Sequence, residues 1–186
     1  MTVTAIVLAA GEGKRFGGAK QLAKIGGKPL LEHVLDNLRA STIRDIVVVL
    51  GANAEAIRRA VSLDDVSVVV NRNYMRGMST SIQAGLRAVT TDAALIALGD
   101  QPYVVPETFS AIVAEYARTR AKLIVPTHNA ARGNPVLIDR SLFADMMQLH
   151  GDVGGRAIFS KHSPHLFAVE DSGILRDIDE PGAVLE

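Results

Sequence analysis

Short, unbroken apolar runs alternate along this chain with longer stretches in which apolar residues recur every three or four positions. The runs Val3 to Ala9, Ile46 to Leu50, Val66 to Val70 and Ala93 to Leu98 read as strands buried on both faces. Between them lie helical patterns. Leu30, Leu31, Val34, Leu35 and Leu38 form a stripe behind Pro29, and proline is favoured in a helix's first turn. A short helix is predicted through Val61 with Asn53 as its cap, and another carrying Ile82, Leu86 and Val89 with Ser79 as its N-cap. Pro106 starts a helix with Phe109, Ile112, Val113 and Tyr116 on one face. Leu123 to Val125 and Val136 to Ile138 are predicted strands. A helix from about Ser141 follows, in which Met146 and Met147 read as core filler. Gly151 to Arg156 is a glycine-rich loop before a short helix that Asp152 would cap. Leu166 to Val169 is the last predicted strand, and the tail from Leu175 to Pro181 ends the folded part. Strands alternating with helices predict an α/β fold, a doubly wound and mostly parallel sheet, in a single domain over residues 1–186.

The first run breaks into Ala10-Gly11-Glu12-Gly13-Lys14-Arg15-Phe16-Gly17-Gly18-Ala19-Lys20, with four glycines and three cations. Ligands of open α/β sheets bind outside the carboxyl ends of the strands. Glycines there let backbone N–H groups approach a ligand, and successive N–H groups in a turn form an anion-binding concavity. With Arg15 and Lys20 adding full charge, the stretch reads as a polyphosphate site. It is not a P-loop: Gly26-Gly27-Lys28 is followed by Pro29, and no glycine stands at the required earlier position. It is not a dinucleotide fingerprint either. Gly11 and Gly13 fit, but Phe16 holds the third place, and no acidic residue ends the second strand at Val49-Leu50-Gly51. The structural alternative is an ordinary turn with solvated cations.

Composition narrows the classes. The chain has 186 residues, 48% of them apolar, enough for a substantial core. Its 20 basic and 20 acidic residues cancel, so nothing draws it globally to nucleic acid or an anionic membrane. With no cysteine, disulfides, thiolate zinc sites and cysteine nucleophiles are excluded. No apolar run approaches the roughly 18 residues of a membrane span, and the N-terminus lacks a signal-peptide pattern, so the cytoplasm is the expected location. The five histidines are dispersed, and no G-x-S-x-G or H-E-x-x-H motif is present.

Leu8-Ala9-Ala10-Gly11, Arg15, Gly17, Lys20 and Gly27-Lys28-Pro29-Leu30-Leu31 resemble the signature of the MobA-like nucleotidyltransferases. Gly99-Asp100-Gln101-Pro102, Arg132-Gly133-Asn134-Pro135-Val136 and Gly151-Asp152-Val153-Gly154-Gly155-Arg156 are similar to segments of the molybdenum cofactor cytidylyltransferases within that group. The resemblance covers almost the whole chain. It implies a Rossmann-like nucleotidyltransferase fold, with Leu8, Ala9, Ala10, Gly11, Gly13, Arg15 and Lys20 holding the nucleotide and its phosphates. Asn71, Ser79 and Ser81 match base-contacting positions. Arg15, Lys20 and Asp100 match the catalytic set, and Asp100 and Asp179 the ligands of Mg²⁺. Where relatives have threonine and then an acid around the proline, this chain has Glu180 and Gly182-Ala183. Gln101, Gly133, Asn134, Pro135, Gly155 and Arg156 match segments around the acceptor. Ala10, where guanylyl-transferring relatives tend to carry glycine, favours CTP. The implied reaction moves CMP from CTP to the phosphate of molybdopterin, with an apo-molybdoenzyme or its chaperone as a further partner. Alternatives are transfer to a sugar or polyol phosphate, a non-catalytic carrier of the cofactor, and, weakest, a dehydrogenase. Each site residue has a bland counterpart: Asp100 and Asp179 could be turn acids, Ser81 an ordinary first-turn residue, and Arg156 the partner of a local acid.

Overall fold

A computed structural model describes residues 1–179, with the side chain of Arg15 outside that description. Ten strands are described: β1 (Val3–Ala9), β2 (Lys24–Ile25), β3 (Lys28–Pro29), β4 (Asp45–Leu50), β5 (Ser67–Val70), β6 (Ala93–Leu98), β7 (Leu123–His128), β8 (Ala131–Arg132), β9 (Val136–Asp139) and β10 (His165–Ala168). The α-helices are α1 (Leu30–Ala40), α2 (Ala54–Ala60), α3 (Met78–Ala88), α4 (Pro106–Thr119) and α5 (Phe143–Met146), with 3₁₀ turns between.

The main sheet runs β10-β7-β9-β6-β1-β4-β5, with β8 paired to β7. β1 lies between β4 and β6, parallel to both. β9 is antiparallel to β6 and to β7, so the sheet is mixed but mostly parallel. Alternate residues of β1 feed two cores. Val3, Ala5, Val7 and Ala9 meet Leu31, Val34 and Leu38 of α1, Ile57 of α2 and Phe109, Ile112 and Tyr116 of α4. Ile6 faces the other way, with Ile82 and Leu86 of α3 and Met146 of α5. Period-two burial on both faces is why β1 reads as one unbroken apolar run. The predicted doubly wound α/β architecture is therefore present. Among the described residues, no helix is long and apolar enough to cross a membrane.

Three predicted caps are corrected. Asn53 stands before α2 with φ 59°, and its side chain makes no capping bond. Ser79 lies inside α3, whose N-cap is Gly77. Asp152 does not cap the turn that follows it. Its Oδ1 accepts from the amide of Met78, 3.2 Å away, and so serves the first turn of α3. For Ser79 and Asp152 a contact across the fold replaces the local one that sequence suggests. The tail does not merely end the folded part: Gly173, Ile174 and Ile178 are buried, and the Ile178 amide donates to the Asp100 carbonyl at 3.0 Å. Glu180 and Pro181 lie outside the described residues.

Candidate active site

The carboxyl ends of β1, β4, β5 and β6 open on one edge of the sheet, because these strands are parallel. β9 runs the other way, so the loop that enters it, with Arg132 and Asn134, reaches the same edge. The ends of β1 and β6 are drawn together by the Gly99 amide, which donates to the Leu8 carbonyl at 3.0 Å. A Cβ on Gly51 would stand 2.7 Å from the Ala10 carbonyl oxygen, so the end of β4 closes just as tightly on the loop after β1.

That loop is wound on itself. Gly13, at φ 66°, turns its carbonyl toward the amides of Phe16, Gly17 and Gly18 and accepts from all three. Gln21 supports it from beneath. This buried side chain donates from Nε2 to the carbonyls of Ala9, at 3.2 Å, and Gly11, at 3.0 Å. Sequence reading did not single out Gln21; its position beside Lys20 in the matching motif was the only signal.

The turn delivers Lys20 to two carboxylates. Its Nζ lies 2.6 Å from Asp100 Oδ2 and 2.8 Å from Asp179 Oδ1, with the lysine side chain only 14% exposed. Burial alone would lower the Lys20 pKa; the hydrogen bonds it donates to both carboxylates outweigh that and raise it. The other oxygen of Asp100, Oδ1, is buried with no hydrogen-bond partner. Asp177 adds a third acid that sequence reading passed over. Burial, a hydrogen bond with Asp179 and the nearby Asp100 together hold its pKa above the ordinary carboxylate value.

Two adjoining cavities flank this cluster and share Leu8, Met78 and Leu98 as a common wall. One, of about 250 Å³, is bordered by Ala10, Gly11, Lys20, Gln21, Ser81 and Asp100. The other, of about 390 Å³, has a floor of Ile82, Ile96, Val136 and Ile174 and a rim of Gln101, Arg132, Asn134, Gly155, Arg156 and Asp177. Of the expected nucleotide-binding residues, Ala10, Gly11, Lys20, Ser81 and Asp100 border the first; of the expected acceptor-binding residues, Gln101, Asn134, Gly155 and Arg156 border the second; Leu8 borders both. Ala9, Gly13, Asn71, Ser79, Gly133, Pro135 and Asp179 border neither cavity. Asn71 Nδ2 donates to the hydroxyls of Thr80 and Ser81, and Asn71 Oδ1 accepts from the Asn73 amide. The Ser79 hydroxyl donates to the Gly151 carbonyl at 2.7 Å, tying α3 to the 151–152 loop. Gly133 packs against the tail, where a Cβ would stand 2.5 Å from the Ile174 carbonyl oxygen. Arg156 Nη2 donates to the Arg132 carbonyl at 3.2 Å, a partner other than the local acid of its bland reading.

The donors suit a hard divalent cation: carboxylate oxygens only, one of them buried and unpartnered. Among the described residues, no group of three acidic or histidine side chains converges closely enough to hold a metal unaided. Asp100 and Asp179 would therefore supply part of a coordination shell, leaving the remainder to water and substrate oxygens.

Comparison with known proteins places this geometry. The chain is 33% identical over 177 residues to nicotine blue oxidoreductase of Paenarthrobacter nicotinovorans, covering 91% of this chain and 86% of that one. It is 34% identical over 115 residues to bifunctional protein GlmU of Pseudomonas syringae pv. syringae, spanning a quarter of that protein's length. The crystal structure of Rv0371c from Mycobacterium tuberculosis H37Rv superposes with a TM-score of 0.88 at 30% identity, covering 97% of this chain and 93% of that one. The complex of Rv0371c with manganese superposes with a TM-score of 0.79 at 28% identity, covering 91% and 89%. A family model described as the MobA-like NTP transferase domain matches residues 5–166, and the chain belongs to that family.

Proposed function

We propose that this protein transfers CMP from CTP to the phosphate of molybdopterin and releases pyrophosphate. The observation that carries the reading is the meeting of Lys20 with Asp100 and Asp179, the first two of which border the smaller cavity, which shares a wall with the larger. Nucleotidyl transfer needs reactants held in line and the charge on the phosphates neutralised. The chamber at the glycine-rich loop suits the triphosphate, with Lys20 and, by its place in the motif, Arg15 as cations. The larger chamber suits the acceptor. Its apolar floor accommodates a flat body, and Arg132 and Arg156 at the rim attract a phosphate. Mg²⁺ held by Asp100 and Asp179 would neutralise charge on the phosphates. Ala10 at the loop favours CTP over GTP.

The test is pyrophosphate release from the purified protein with Mg²⁺, molybdopterin and each of CTP, GTP, ATP and UTP. Release with CTP, abolished in Asp100→Ala, supports the reading. Release with GTP keeps the chemistry and overturns the inference from Ala10. Release only when a sugar or polyol phosphate replaces molybdopterin moves the acceptor to that class.

A second reading rests on the 33% identity, over most of this chain, with a protein named as an oxidoreductase. Under it, the larger cavity would hold a flat electron acceptor. Oxidation of NADH or NADPH by the protein with nicotine blue, and no pyrophosphate release with any nucleotide, would favour this reading over the first.

A further inference from the structure

We propose that Lys20 is a built-in counterion that holds the metal site closed until nucleotide phosphates draw it away, so that metal and nucleotide enter together. This rests on the assignment of Asp100 and Asp179 as metal ligands.

Lys20 Nζ sits 2.6 Å from one carboxylate and 2.8 Å from the other, bridging the pair that a divalent cation would have to share. An ammonium and a metal ion cannot both occupy that bridge: at such separations two cations repel strongly in a partly buried setting. The site is also short of ligands: even with Asp177 nearby, no three acidic or histidine side chains among the described residues converge closely enough to hold a metal. A metal arriving alone would have to evict Lys20 and then find most of its ligands in water. A metal arriving with a triphosphate brings phosphate oxygens as ligands and offers Lys20 a new partner. Lys20 and the glycine loop border the same chamber, so that exchange requires only a swing of the flexible lysine stem. The buried Oδ1 of Asp100, unpartnered while Lys20 holds Oδ2, is the oxygen left for the metal. The bridge also joins the first loop to the tail, across 159 residues of sequence, so its release frees one of the contacts that hold the tail.

The test is titration of the full chain with Mn²⁺, followed by electron paramagnetic resonance of the free ion, with and without CTP. Wild type is expected to bind Mn²⁺ weakly alone and tightly with CTP. Lys20→Met, and independently Lys20→Gln, should bind Mn²⁺ without nucleotide about tenfold or more tightly than wild type. Circular dichroism confirms that each variant is folded. If both variants bind Mn²⁺ alone no better than wild type, while CTP-dependent binding in wild type is lost in Asp100→Asn, the metal reading stands and the counterion proposal is overturned. If Asp100→Asn binds Mn²⁺ with CTP as wild type does, the metal assignment fails and the proposal fails with it.

Discussion

Under the proposed transfer reaction, Lys20 is the residue at which the chemistry concentrates. A unit charge pair at 4 Å is worth about 4 kcal/mol at an effective dielectric near 20. Removing this cation from the developing charge is expected to lower turnover by roughly 10²–10³-fold, by analogy with the loss of a charge-stabilising donor. Steady-state pyrophosphate release by Lys20→Ala checks it, and unchanged turnover would remove Lys20 from the mechanism. Asp171 acts at a distance from the chemistry. Its buried carboxylate accepts from the Thr108 hydroxyl at 2.6 Å, the Val105 amide at 3.1 Å and the Gly173 amide at 2.8 Å. One side chain thus caps α4 and pins the start of the tail. Asp171→Ala would leave buried donors unsatisfied, at about 1–3 kcal/mol for each group. A fall in the urea midpoint measures that cost. Sequence shows only the local bond of Asp171 to the Gly173 amide, because its other two partners lie more than 60 positions away.

Among the elements, α3 approaches β1 most closely at Gly85. A Cβ there would stand 2.5 Å from Ile6 Cγ2 and 3.1 Å from Val49 Cγ2. Gly85→Ala should therefore destabilise by about 1–3 kcal/mol through overpacking, despite alanine's better helix propensity, and thermal melting reads the sign. α4 is tied to β10 by Glu115, which accepts from Arg118 at 2.7 and 2.9 Å and sits 2.7 Å from His165. The Arg118 guanidinium, and then His165, hold the Glu115 pKa down to about 2, below its ordinary 4.5. A depressed carboxylate stabilises the fold above its unfolded pKa and loses that contribution as pH falls through the folded one. Wild type should therefore lose stability between pH 4.5 and about 2 in a step that Glu115→Gln lacks, as melting curves across that range would record. The sequence made the elements legible where periodicity was long. All five residues of the α1 stripe are buried, and β1 and β6 have the predicted bounds. It concealed elements made by pairing rather than period, the β2–β3 hairpin and β8, while the helix expected from about Ser141 is present as a 3₁₀ turn and a four-residue α5. Asp100 and Lys20 were legible because glycines and a strand end frame them. Asp177, Gln21 and the partners of Asp152 were not, since only the folded chain brings them to the edge.

At the scale of the whole molecule, two cavities share one sheet edge, and their lining comes from positions 8 to 177. The tail is wedged into place at both sides. A Cβ on Gly173 would stand 2.1 Å from the Tyr103 carbonyl oxygen, and one on Gly133 2.5 Å from the Ile174 carbonyl oxygen. This arrangement has a consequence for biosynthesis. Lys20 leaves the ribosome 159 residues ahead of Asp179. Until the later residue emerges, a nascent chain could pair β1 with β4 and β6 but would present an unclosed polyphosphate loop. Contacts of such sequence separation are slow to form. Competence to bind substrate should therefore lag behind the appearance of secondary structure during refolding, and the last step of folding would be the one that completes the proposed site.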